Sequence, residues 1–101
     1  MSMTITISAV AFKEGDAWVI QGIEHDIVAH TYDVHKVPEA FTRALLENVA
    51  ITEHLGRKPL EGIKPAPEKY RKMFEDAALE LRPTKSVTLG PEVSVRLAEM
   101  A

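Results

Sequence analysis

The chain has 101 residues, 46% of them apolar, no cysteine and a formal net charge of −3. That is enough apolar mass for one core in a single domain, and a domain this small gains stability by associating with a copy of itself. The missing cysteines exclude disulfides and thiolate metal sites and point to a reducing cytoplasm; no apolar run approaches the roughly 18 residues that cross a bilayer, and residues 1–15 alternate instead of forming the apolar block of a signal peptide.

Residues 3–12 place Ile5, Ile7, Ala9 and Ala11 on one face and Thr4, Thr6, Ser8, Val10 and Phe12 on the other, a period of two that predicts a strand. Lys13-Glu14-Gly15-Asp16 reads as a hairpin loop of about four residues, residues 17–22 as the returning strand and residues 26–32 as a third. Pro38 opens a helix, because the N–H it lacks has no partner at the first helical position, and Glu39 suits the positive end of the helix dipole. Asp33 and His35 are both candidate caps. Phe41, Ala44, Leu45, Asn48, Ile51 and Leu55 follow helical spacing, and Leu46 and Val49 widen the stripe. The helix predicted over 38–55 is therefore expected to lay a broad apolar face on the sheet before Gly56 stops it.

Pro59, Gly62, Pro65 and Pro67 make residues 57–66 an irregular connector. Pro67 then opens a second helix, in which Tyr70, Met73, Phe74, Ala77, Ala78 and Leu81 fall at i, i+3, i+4, i+7, i+8 and i+11. Such a stripe needs a covering surface, from this domain or from another subunit. Residues 85–89 read as a short strand. After Gly90-Pro91 the alternation of Val93, Val95 and Leu97 favours a strand over a helix. The predicted class is α+β: a three-stranded antiparallel sheet packed by one long helix in residues 1–56, a connector over 57–66, and a C-terminal helix with a short β arm in 67–101.

Charge divides along the chain. Residues 1–56 carry three Lys/Arg against eight Asp/Glu, whereas residues 57–101 carry nine against seven. Arg57, Lys58, Lys69, Arg71, Lys72 and Lys85 are the candidate nucleic-acid contacts on that basis, with a solvated connector as the plainer role. Trp18, Tyr70, Met73, Phe74 and Leu81 are the candidate partner or oligomer contacts.

Catalytic signals are missing. His25, His30 and His35 recur every five residues, an odd spacing that alternates faces on a strand, and Glu24-His25 does not begin an H-E-x-x-H helix. His54 suits the negative end of the first helix. No glycine-rich phosphate loop occurs, and Ser2, Ser8, Ser86 and Ser94 lack a nucleophile elbow. The expectation is a non-enzyme with no catalytic, metal or cofactor residues.

The order strand, strand, strand, helix, carried by GDAWVIQGIEHDIVAH and the following TYDVHKVPEAFTRALLENVAITEHL, resembles the HicB-like domain, the antitoxin of a class of bacterial toxin–antitoxin pairs. The resemblance spans about residues 3–56. It departs from the family's usual pattern where Glu24-His25-Asp26 stands in place of a Gly-Cys pair. It implies a truncated ribonuclease H-like fold and a cytoplasmic protein acting through protein contacts, as a homo-oligomer (dimer or tetramer) and against a small toxin-like partner. Two alternatives stay open. One is a nucleic-acid-binding regulator using residues 57–72 and 84–101, the latter resembling the strand and first helix of a ribbon-helix-helix repressor. The other is a vestigial nuclease, for which the first strand lacks the acid that a two-metal site requires.

Overall fold

The computed structural model describes residues 5–79, 85–88 and 93–100, and within them five strands form one mixed sheet in the order β3-β2-β1-β5-β4. The elements are β1 (Ile5–Glu14), β2 (Ala17–Gly22), β3 (Val28–Thr31), a 3-10 turn (Val34–Lys36), α1 (Val37–His54), α2 (Glu68–Leu79), β4 (Lys85–Thr88) and β5 (Val93–Glu99). The fold is α+β, as the residue pattern predicts. The sheet is larger than the expected three antiparallel strands. β1, β2 and β3 form the antiparallel meander, but β5 joins β1 in parallel and β4 pairs with β5. The supposed C-terminal arm thus supplies two of the five strands, and its strand next to β1 pairs Ile5 with Val93 and Ala11 with Glu99.

That topology explains why β1 is apolar on both faces. Ile7, Ala9 and Ala11 join Ile20, Ala29, Val95 and Leu97 beneath Val37, Phe41 and Leu45 of α1. On the opposite face Val10, Ile23 and Ala98 pack against Phe74 and Ala77 of α2. The two helices cover opposite sides of the sheet, and a strand buried on both faces cannot show a clean apolar–polar alternation. The second helix finds its surface on β1 and β5 of its own chain.

Local detail follows the residue chemistry. The first hairpin pairs Glu14 with Ala17, so its loop is only Gly15-Asp16, tighter than the expected four residues, with Gly15 at φ 62°. Asp33 is the cap that forms: its Oδ1 accepts from the His35 N–H and closes the 3-10 turn that leads into α1. At the other end the Gly56 N–H donates to Glu53 O and the Arg57 N–H to Thr52 O, the pattern that a glycine at positive φ allows after a helix.

The buried stripe of α1 is narrower than expected. Val37, Phe41, Leu45 and Thr52 are buried, whereas Leu46, Ile51 and Leu55 are 48%, 57% and 59% exposed. The face centre lies one step around the helix from the stripe read in the sequence, because α1 sits over β2 and β3 at one side of the sheet.

The connector is docked. Leu60 is fully buried in the core despite φ 65°, and its N–H donates to Thr52 Oγ1. Burying a leucine is worth about 1.5–3 kcal/mol, which outweighs the roughly 1–2 kcal/mol cost of a left-handed residue. Further along, the Asp26 N–H donates to Lys64 O, the Ala66 N–H to Ile23 O, and His25 Nδ1 hydrogen-bonds Ile63 O at 2.9 Å.

These bonds resolve an exchange of partners at the end of the β1–β2 ladder. Ile23 donates its N–H to Ser8 O, but its own carbonyl is taken by Ala66. The Ser8 N–H turns instead to Glu24 Oε1 at 2.6 Å, so a side chain completes the ladder. On the same strand, Arg96 Nη2 donates to Ser8 Oγ at 2.9 Å while the guanidinium lies over the Phe74 ring.

Candidate interaction surface

β3 ends the sheet. Among the described residues no strand pairs with its outer edge, and none outside β2 hydrogen-bonds the backbone of residues 28–31. In an antiparallel strand alternate N–H and C=O groups point away from the neighbour, so this edge presents unpaired donors and acceptors.

Beside that edge runs one flank of α1. Lys36, Glu39, Ala40 and Arg43 stand at i, i+3, i+4 and i+7, one ridge of a helix. With His30 and Thr31 of β3 they line a cleft of about 200 Å³. Arg43 and Glu39 approach to 3.8 Å, but both side chains are largely exposed, so the pair is weak and screened. Lys36 makes no ion pair with a described residue.

At 100° per residue the same flank continues through Ala44 and Glu47 to Ile51 and Leu55. The exposed large apolar residues of α1, Leu46, Ile51 and Leu55, lie further along the helix and do not line this cleft. Tyr32, 79% exposed, and Val34 stand on the turn between β3 and α1, and half-exposed Val28 lies on the far face of β3.

The residues singled out in the sequence are placed elsewhere. Phe74 is buried against the second face of the sheet with Tyr70 and Met73 beside it, and Tyr70 stacks on Phe12 at 6.0 Å between ring centroids. Trp18 packs partly buried against the α1-side core. Leu81 lies outside the described residues. Arg57, Lys58, Lys69, Arg71 and Lys72 are exposed, and Lys69 Nζ rests 4.9 Å over the Tyr70 ring. Lys85 begins β4 at the opposite edge of the sheet from β3. The basic candidates therefore lie on the connector, on α2 and on β4, away from the β3 cleft.

Three or more His, Asp or Glu side chains do not converge on a common point among the described residues. The Glu24 carboxylate accepts from the Ser8 N–H and the Asp26 carboxylate from Gln21 Nε2 at 2.8 Å, so both serve local structure. The β3 groove was missed in the residue pattern, although a signal was present. The acidic half of the chain has only three basic residues, Lys13, Lys36 and Arg43, and two of them stand on one helical ridge. No family model, curated protein or solved structure matches this chain.

Proposed function

We propose that the protein is a non-catalytic interaction module of the HicB-like kind, acting in the cytoplasm through contacts with other proteins, an antitoxin-like partner of a small toxin-like protein among them. The observation that carries this reading is the open β3 edge, with half-exposed Val28 on it and exposed Tyr32 just after it. A strand edge with unpaired backbone groups takes up another strand readily, and exposed large apolar side chains beside it supply contact area. The strand–strand–strand–helix unit at the positions that carry the resemblance supports the family part of the reading. Homo-oligomer formation belongs to the same proposal.

The test is sedimentation of the full chain at micromolar concentration, alone and co-expressed with the product of the neighbouring reading frame. A stable complex or a defined oligomer is expected. A chain that stays monomeric in both experiments removes the reading.

A further inference from the structure

We propose that the β3 edge is an interface between two copies of this chain. The β3 strands pair antiparallel about a two-fold axis at His30, which joins the two sheets into one, and the two α1 helices run antiparallel across the same axis. This rests on the interaction-module reading and deepens it by naming the surface, the register and the occupant, but it does not need the family resemblance.

The register follows from the backbone. Gly22 and Ile27 continue the β2–β3 ladder, and the Gly22 N–H donates to Ile27 O. Antiparallel bonds alternate, so Ala29 and Thr31 face β2, whereas Asp26, Val28, His30 and Tyr32 turn their N–H and C=O groups outward. The connector takes the first of these, because the Asp26 N–H donates to Lys64 O at 2.7 Å. Among the described residues nothing bonds the backbone groups of Val28, His30 and Tyr32 that face outward. A two-fold axis normal to the sheet keeps both α1 helices on one side and sets like faces opposite each other. It therefore passes through a residue of β3 and not between two residues. An axis at Ala29 sets Tyr32 against the occupied Asp26. An axis at His30 sets Val28 against Tyr32 of the second copy, Ala29 against Thr31, and His30 against its own equivalent, so the free positions meet only one another.

The side chains fit this register. On the face away from α1, half-exposed Val28 meets exposed Tyr32 twice over, an aromatic–β-branched pair of the kind that stabilises sheets. On the α1 side, small Ala29 and Thr31 leave the helices room. α1 lies over β2 and β3, so across the axis the helices stand about two strand spacings apart, roughly 10 Å, an ordinary helix packing distance. α1 doubles back over β3 after the 3-10 turn, and the cleft sets His30 and Thr31 beside residues 36–43, so the axis passes α1 near Ala40. Lys36, Glu39, Arg43 and Glu47 give this flank the charges plus, minus, plus, minus. Reversed against itself, the flank lays Glu39 beside Arg43 of the second copy and Lys36 toward Glu47, each contact made twice, with small Ala40 and Ala44 between them. Within one chain the Glu39–Arg43 contact is 3.8 Å long and exposed, so it exchanges partners at little cost. A flank without net charge selects neither an acidic nor a basic partner, but it complements its own reverse.

The test uses the full chain, which has no cysteine of its own. Sedimentation of the unaltered chain at micromolar concentration is expected to show a dimer. His30→Cys, oxidised with copper phenanthroline, is expected to give a disulfide-linked dimer on denaturing gels, since Cα atoms opposed in a hydrogen-bonded pair lie about 5.5 Å apart, within disulfide reach. Glu75→Cys, exposed on α2, is expected to stay unlinked. Arg43→Glu changes an exposed residue and is expected to weaken the dimer about tenfold or more, whereas the swap Glu39→Arg/Arg43→Glu returns it to within about threefold of the unaltered chain. A dimer that ignores Arg43→Glu, that the swap does not rescue, or that links Glu75→Cys as readily as His30→Cys has another interface. Each of those results overturns the proposal while the module reading stands. A chain that is monomeric alone but joins the product of the neighbouring reading frame also overturns it and leaves that reading in place. A monomer in both experiments ends both.

Discussion

Glu24 shows how one side chain can stand in for backbone. The β1–β2 ladder runs out where Ile23 O is claimed by the connector, and the Ser8 N–H, on a residue only 2% exposed, needs another acceptor. Glu24 Oε1 supplies it. Leaving a buried N–H unpaired costs about 1–3 kcal/mol. Glu24→Ala is therefore expected to destabilise the protein by about that amount in urea unfolding, and Glu24→Gln, which keeps a carbonyl acceptor, by clearly less. Equal losses for the two variants would show that the charge matters and the acceptor does not. In the sequence Glu24 reads as a solvated acid at a strand end, since nothing local reveals that Ala66 takes the carbonyl that Ser8 would use.

At the scale of elements, legibility tracks how far apart the interacting residues lie. β2 and both helix starts could be read because their signals are short range: a glycine-bearing turn, Pro38 at the opening of α1, Pro67 before α2. The Tyr70–Met73–Phe74–Ala77 spacing reads correctly as an amphipathic face, and the structure adds which surface covers it. What could not be read was β5 beside β1, because a parallel pair has no connecting turn to announce it. Only the apolar residues on both faces of β1 hinted at a central strand. The Ile51 and Leu55 misreading has the same origin, since periodicity gives the width of a stripe but the neighbour decides its centre.

The dependence of β1 on β5 gives an element-scale expectation. A chain ending at residue 84 lacks Val95, Leu97 and Ala98, which are buried in the two cores. Losing a single buried Leu costs about 2–5 kcal/mol, of the order of a small domain's whole stability. Such a chain is expected to show no cooperative thermal unfolding and few protected amides in hydrogen exchange. A sharp transition would mean that the meander and α1 stand alone.

For the whole molecule, the inner ladder joins residues 88 positions apart, as between Ser8 and Arg96. Closing so long a loop precedes any gain from the contacts it permits, so folding is expected in milliseconds to seconds, as for other folds dominated by distant pairings. Stopped-flow refolding followed by Trp18 fluorescence, which lies in the α1-side core, checks this; a microsecond rate would place the β1–β5 pairing after the barrier.

That ladder also sets an order of events on the ribosome. Until residues 93–99 have emerged, β1 has a vacant flank beside strands already synthesised, and any chain nearby can fill it. Neighbouring nascent copies on one messenger are the nearest source of a matching strand, and a β5 donated from one to the other would reproduce the same pairing register in an interlocked pair. Exchange of this kind would be trapped by the very contacts that stabilise the monomer, so slow synthesis through the segment before β5 favours entangled assemblies over single molecules.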